Sequence, residues 1–284
     1  MNPIHFDAVA AAYDKAAFLQ AAIAKKLMQK AMLIKDAPTT IVDLGAGSGI
    51  LSSLLVDHYP DSKITAVDYS PNMCAVAAQK PGFEVVCADA RQLPFSDWSY
   101  RAVFSNCMLQ WAPDYQRVLQ EVKRVLAPGG FFLLSTFGPK TLPELRRAWA
   151  AVDDYKHVNE FVSMQELADQ LSTQGFIDVV VSSETIVVHY DRIRKIFQDL
   201  KDTGATNVMS MDKYQGLMTQ RKLARFYKAY EEMRSSDGHY PVSYEVIYAI
   251  AWVPENGANQ GPHVVSVDHL RNLMQKFQAG EDDQ

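Results

Sequence analysis

Apolar residues in the first 35 positions recur at helical spacing. Phe6, Val9, Ala10, Tyr13 and Ala17 share a face with Gln20, and Ile23, Leu27 and Ala31 continue the stripe. From Thr40 the period shortens: apolar runs of strand length at 40–44, 63–67, 84–88, 101–105 and 131–136 alternate with helical patterns. One helical pattern starts at Ile50. A second opens on Ser70-Pro71-Asn72, with a side-chain cap and proline at the first position, and a third fills 115–125. Leu126-Ala127-Pro128-Gly129-Gly130 reads as the stop of that third helix. Further on, helices are predicted over 142–152, 163–173 and, strongly basic, 193–234, while valine-rich 177–190 and aromatic 240–253 read as strands. Residues 255–266 read as a linker, followed by a short amphipathic tail with an acidic end. Such alternation predicts an α/β fold with a doubly wound, mostly parallel sheet.

Composition narrows the class without naming a chemistry. The 284 residues are 48% hydrophobic and 21% charged, an ordinary globular mixture. A formal net charge of −5 argues against a general nucleic-acid binder. Cys74, Cys87 and Cys107 are scattered without a C-x-x-C, and read as small core hydrophobes in a reducing compartment. No signal-peptide pattern and no apolar run long enough for a bilayer stand out, so a cytoplasmic protein is expected, with no metal site.

Candidate chemistry begins at the first strand. Ile41-Val42-Asp43-Leu44-Gly45-Ala46-Gly47-Ser48-Gly49-Ile50 reads as strand, tight turn and helix. The glycines let a ligand approach the backbone, and the helix behind offers unpaired N–H groups. Dinucleotide loops need a glycine at the sixth place of G-x-G-x-x-G, where Ile50 stands, so a nicotinamide oxidoreductase is disfavoured. A carboxylate at Asp43 repels a pyrophosphate and suits an ammonium group. Asp68, at the end of the second strand, stands where doubly wound folds place an acid on ribose hydroxyls. Asp89-Ala90, after the third strand, offers an acceptor for the exocyclic amine of an adenine.

This order of loop, Asp68, Asp89 and Pro128-Gly129-Gly130 resembles the class I S-adenosylmethionine-dependent methyltransferases over roughly residues 38–137. Gln110-Trp111, Phe137-Gly138-Pro139-Lys140-Thr141-Leu142-Pro143-Glu144-Leu145, Trp149, His157-Val158-Asn159-Glu160-Phe161, Leu200-Lys201-Asp202-Thr203-Gly204-Ala205-Thr206-Asn207 and Tyr240-Pro241-Val242-Ser243-Tyr244-Glu245-Val246 narrow it. Together they are similar to the malonyl-acyl-carrier-protein O-methyltransferases of biotin synthesis. One departure is Ala8, where that family tends to carry a basic residue.

The resemblance implies an N-terminal helical lid at 1–37, an S-adenosylmethionine-binding Rossmann-like domain at 38–190, a helical insertion for substrate and carrier docking at 191–239, the last strand at 240–254 and a tail at 255–284. For the N-terminal helix a packed helix remains an equal alternative to a lid. The implied cofactor residues are Gln20, Asp43, Gly45, Ala46, Gly47, Gly49, Asp68, Tyr69, Met73, Asp89, Ala90, Asn106 and Gln110. The implied catalytic residues are Tyr13, Lys201, Arg146 and Lys140, with Arg147, His157 and Asn159 as further candidates. Such enzymes convert the free carboxylate of malonyl-acyl-carrier protein to a methyl ester. That carboxylate is ionised at neutral pH, so no general base is needed. Rival substrates are another small carboxylate such as trans-aconitate or a quinone precursor, and a non-catalytic S-adenosylmethionine-binding subunit is the rival class.

The resemblance implies acyl carrier protein as partner, and the charge pattern fits either a docking face for it or a merely solvated face. Between Arg192 and Arg234 ten basic residues face five acidic ones, a local charge of +5 in a chain whose total is −5. Lys222, Arg225 and Lys228 are the expected docking residues, since steps of three and six put them near one helical face.

Overall fold

The computed structural model describes residues 13–35, 37–203 and 219–255. Two compact units emerge. Of the described residues, one holds those up to Thr136, Ser163–Ser183 and those from Ile247 on; the other holds those within Phe137–Val162 and Glu184–Val246. This division cuts through the two long strands of the second half.

The helical N-terminal stripe takes the form of α1 (Tyr13–Ala16) and α2 (Phe18–Ala31). Leu19, Ile23, Ala24, Leu27, Met28 and Ala31 of α2 are buried, the face the spacing predicts. Strand β1 (Thr40–Leu44) leads to α3 (Ile50–His58), β2 (Lys63–Asp68) to α4 (Pro71–Ala77), and β3 (Glu84–Cys87) to β4 (Tyr100–Asn106). The Ser70 hydroxyl accepts the Met73 N–H and caps α4 as its sequence announces. After a single 3-10 turn at Leu109–Trp111, α5 (Tyr115–Val125) starts on an Asp114 cap and buries Val118, Leu119, Val122 and Val125. Then follow β5 (Leu126–Phe137), α6 (Pro143–Ala150), α7 (Met164–Thr173), β6 (Ile177–Tyr190), α8 (Ile193–Asp202), α9 (Gln220–Glu231) and β7 (Tyr240–Trp252).

The strands form one seven-stranded sheet in the order β3-β2-β1-β4-β5-β7-β6. β1 pairs in parallel with β2 and β4, β2 with β3, and β4 with β5. Gly129 N–H donates to Val253 O and Val253 N–H to Gly130 O, while Gly138 N–H donates to Glu245 O, so β7 runs antiparallel to β5. Central strands are buried on both faces, through Ile41, Val42, Ala66, Val67, Val103, Phe104, Leu133 and Leu134.

Two sequence expectations need refinement. Leu126 to Gly130 stops the helix as expected, but it also opens β5, which starts before 131 because its backbone finds partners on Val253 that lie far away in sequence. The basic stretch 193–234 is not one helix; α8 ends at Asp202 and α9 begins from a Thr219 cap. The intervening 204–218, including Gly204-Ala205-Thr206-Asn207, and the tail from 256 lie outside the described residues, as do Phe6 and Ala8. In the second unit, aromatic rings make the core. Trp149 of α6 stacks on His157 at 4.0 Å and packs on Phe226 of α9 at 4.4 Å, and Phe226 meets Phe197 of α8 at 5.2 Å. Among the described residues no helix is long and apolar enough to cross a membrane.

Candidate active site

The glycine loop sits at the C-terminal end of β1, the end where doubly wound sheets bind ligands. Gly45 N–H and Ala46 N–H both donate to Val67 O, which folds the loop back over β2. Gly45 has φ +75, and a Cβ there would lie 2.1 Å from Met108 Cγ. Gly47, also at positive φ, has instead the Tyr13 ring above it, 3.9 Å from where a Cβ would stand. Backbone conformation thus calls for glycine at both places, and packing against Met108 adds to it at Gly45.

Asp43 is 1% exposed and pairs across the sheet with Ala66 and Phe104. The Ser52 hydroxyl donates to its Oδ2 at 2.6 Å, whereas Oδ1 is buried with no hydrogen-bond partner. Burial pushes its carboxyl up to about 7, the Ser52 bond pulls it down, and the neighbouring Asp68 charge adds to the rise. Asp68 at the tip of β2 accepts Gly47 N–H on Oδ2 and Ser70 N–H on Oδ1, both at 2.8 Å. One carboxylate thus holds the loop in shape, and each of its oxygens can accept more than one hydrogen bond.

Beside the loop lies a cleft of about 420 Å³ lined by Leu44, Gly45, Val67, Asp68, Tyr69, Ala88, Asp89, Ala90, Arg91, Met108, Ala112, Pro113 and Val118. It is mostly apolar with two carboxylates, the composition of a nucleoside pocket. Arg91 was not foreseen from sequence. Its Nη2 lies 2.6 Å from Asp89 Oδ2, its Nε 3.0 Å from Oδ1, and its N–H also donates to Oδ1. The Arg91 hydrogen bonds hold the Asp89 carboxyl below its usual range. An Asp two residues before a basic residue in a turn is the signal that announces such a local clamp.

Two more predicted positions flank the loop. Asn106 Nδ2 donates to Gln20 O at 3.0 Å and Asn106 Oδ1 accepts Ser135 Oγ at 2.8 Å. Gln110 bridges Cys107 O and the Thr136 hydroxyl at 2.6 and 3.0 Å. The Gln20 Oε1 is buried without a partner. Burial raises the Tyr13 phenol well above its ordinary value, with Cys107, Asp68 and Asp14 adding to the rise. Next to it Asp14 accepts the Ser48 hydroxyl and pairs with Lys80 at 2.9 Å, tying α1 to the glycine loop. Met73 is 1% exposed in the α4 core, where its N–H meets the Ser70 cap.

The basic candidates belong to the second unit. Arg146 donates to Thr141 O at 3.4 Å and to Asn159 O, and burial lowers its guanidinium from the ordinary value. Lys140 and Lys201 have exposed side chains, with Lys140 N–H on Glu245 Oε2. His157 Nε2 lies 2.7 Å from Asp153 Oδ1, and Lys222 Nζ lies 3.0 Å from Asp153 Oδ2, so both brace that unit's interior. Among the described residues no cluster of three metal-ligating side chains occurs.

An orphaned carboxylate oxygen, an orphaned amide oxygen, an open glycine turn and an apolar cleft ending in two acids fit an aminoacyl nucleoside without phosphate. Residues 42–134 match the methyltransferase domain family. A malonyl-[acyl-carrier protein] O-methyltransferase of Halorhodospira halophila is 38% identical over 275 residues, covering 94% of this chain and 93% of that protein. The chain belongs to the malonyl-[acyl-carrier protein] O-methyltransferase family. The family enzyme of Laribacter hongkongensis is 37% identical, over 88% of this chain and 87% of its own. Among solved structures, the YcgJ protein of Bacillus subtilis superposes with a TM-score of 0.55 at 20% identity, over 81% of this chain and 99% of its own. A Haemonchus contortus phosphoethanolamine N-methyltransferase 2 in complex with S-adenosyl-L-methionine gives 0.53 at 17% identity, over 87% of this chain and 57% of its own. These two share the fold. Like its family, the chain is an S-adenosylmethionine-dependent methyltransferase.

Proposed function

We propose that this chain methylates the free carboxylate of a malonyl group carried on acyl carrier protein, an early step of biotin synthesis. Identity of 38% and 37% to enzymes of that name, over 94% and 88% of this chain, is the observation that carries this reading. S-adenosylmethionine supplies an electrophilic methyl group on a sulfonium. The malonyl carboxylate is already anionic, so the protein's work is alignment and exclusion of water. Asp43 and Gln20 would receive the ammonium end, Asp68 the ribose hydroxyls and Asp89 the adenine amine. Tyr13, over Gly47, would close the site. The malonyl carboxylate would need a cation or hydroxyl that leaves one oxygen free to attack. Lys201 leads Arg146 and Lys140 for that part, because the Arg146 guanidinium is committed to two carbonyls.

For the carrier, the structure shifts the expectation made from spacing. Lys222 is engaged with Asp153, while Arg221, Arg225 and Lys228 are exposed at steps of four and three along α9. That stripe is the docking face proposed for an acidic carrier, and charge steering across it weakens with salt. The test is the mass of malonyl-carrier protein incubated with S-adenosylmethionine, against free malonate and malonyl coenzyme A. A gain of one methyl group on the carrier substrate is expected. No gain with that substrate, but methylation of free malonate, refutes the assignment.

A further inference from the structure

Sequence pattern makes all three cysteines core residues, yet Cys87 is exposed. It ends β3, which lies at the edge of the sheet, and it stands in register with Asp68 of β2. Cys74 of α4 comes to the same place from the other side. Its Sγ lies 3.5 Å from Asp68 O, and Cys87 Sγ lies 3.8 Å from Tyr69 O. They therefore flank the Asp68-Tyr69 dipeptide, whose side chains line the cleft and whose carboxylate holds Gly47 N–H. Cys107 is remote in character: buried, at the end of β4, beside Ser135 Oγ.

We propose that Cys74 and Cys87 are a peroxide-responsive thiol pair whose oxidation to a disulfide weakens cofactor binding. Hydrogen peroxide is the oxidant. The accessible Cys87 sulfur attacks one peroxide oxygen, giving a sulfenic acid and water. The Cys74 thiol then attacks the Cys87 sulfur, the S–S bond forms, and the hydroxyl leaves as a second water. Two thiols and one peroxide thus become one disulfide and two waters. The order follows from exposure, since burial pushes the Cys74 thiol up to about 12 and leaves it poorly ionised as a first attacker. The new bond removes both S–H donors from the Asp68 and Tyr69 carbonyls and moves the end of β3 against the start of α4. Asp68, and with it the loop, must follow.

The full chain is treated with hydrogen peroxide, denatured and alkylated with iodoacetamide. The expected result is one alkylated thiol per chain, a loss of two hydrogens, a Cys74–Cys87 cross-linked peptide, and reversal by dithiothreitol. Calorimetry with S-adenosylhomocysteine should show roughly tenfold weaker binding by the oxidised form, the scale of one misplaced hydrogen bond to a charged group, with recovery on reduction. Cys87→Ser should bind like the reduced wild type and ignore peroxide. Three alkylatable thiols after treatment, a disulfide between chains, or unchanged affinity of the cross-linked form would each overturn the proposal. Absence of binding by the reduced wild type would instead refute the assignment of the cleft, and the thiol count would stand apart from it.

Discussion

Asp43 should make cofactor binding depend on pH in a way that an exposed carboxylate would not. Its folded value of about 7 lies well above the ordinary 3.8. Raised in this direction, the group favours folding in its neutral form. That contribution is full below the unfolded value and is lost as pH rises through about 7, where the buried charge costs roughly 4 kcal/mol relative to water. An ammonium ligand reverses the preference, since only the carboxylate can pair with it. Binding must then expel a proton at acidic pH. Between pH 7 and pH 6 the apparent affinity for S-adenosylhomocysteine should fall about fivefold, and below that about tenfold per pH unit. Asp43→Asn keeps the shape and the Ser52 bond but holds no charge. It should bind more weakly at pH 7, show no such slope, and melt higher at alkaline pH. Calorimetry in buffers of different ionisation enthalpy reads both affinity and proton release. An affinity that is flat between pH 5.5 and 7 in the wild type, or an equal slope in Asp43→Asn, refutes the pairing of Asp43 with the ligand's ammonium.

Other substitutions probe the remaining supports. Gly45→Ala should lose about 1–2 kcal/mol to its positive φ and more to the clash with Met108, seen in both denaturant midpoint and cofactor affinity. Asp68→Asn should weaken S-adenosylmethionine binding by about 1.5–3 kcal/mol, measured by titration, with little loss of fold. Phe226→Ala, at a fully buried position between Trp149, Phe197 and Tyr230, should cost about 3–5 kcal/mol in urea unfolding. Arg221→Glu with Arg225→Glu should raise KM for malonyl-carrier protein while a short neutral malonyl thioester is unaffected, and equal effects on both substrates refute the docking face.

Local signals carried the elements well. The predicted helix 115–125 is α5 to the residue, and 177–190 is β6, because cap, periodicity and terminator all lie within a few residues of one another. The places of Asp43, the glycines and Asp68 in the fold were equally legible, since strand, turn and strand end are each short-range features. What escaped was non-local. Leu126 to Gly130 looks like a stop, yet pairs with Val253. Lys222 looks solvated, yet reaches Asp153, 69 residues away. Cys87 looks like core by residue type, yet its strand is the sheet edge. Arg91 was missed for a different reason: its clamp on Asp89 is local, but no apolar period marks it.

Two neighbouring side chains tie α1 to the glycine loop by different physics. Asp14 holds Ser48 and Lys80 through a hydroxyl and a half-exposed ion pair, bonds for which water substitutes at a cost of about 1 kcal/mol or less. Tyr13 of the same turn is held differently, by burial of its ring over Gly47, a contact that weakens with urea and changes with temperature. Salt should therefore loosen the Asp14 tie while leaving the Tyr13 contact in place.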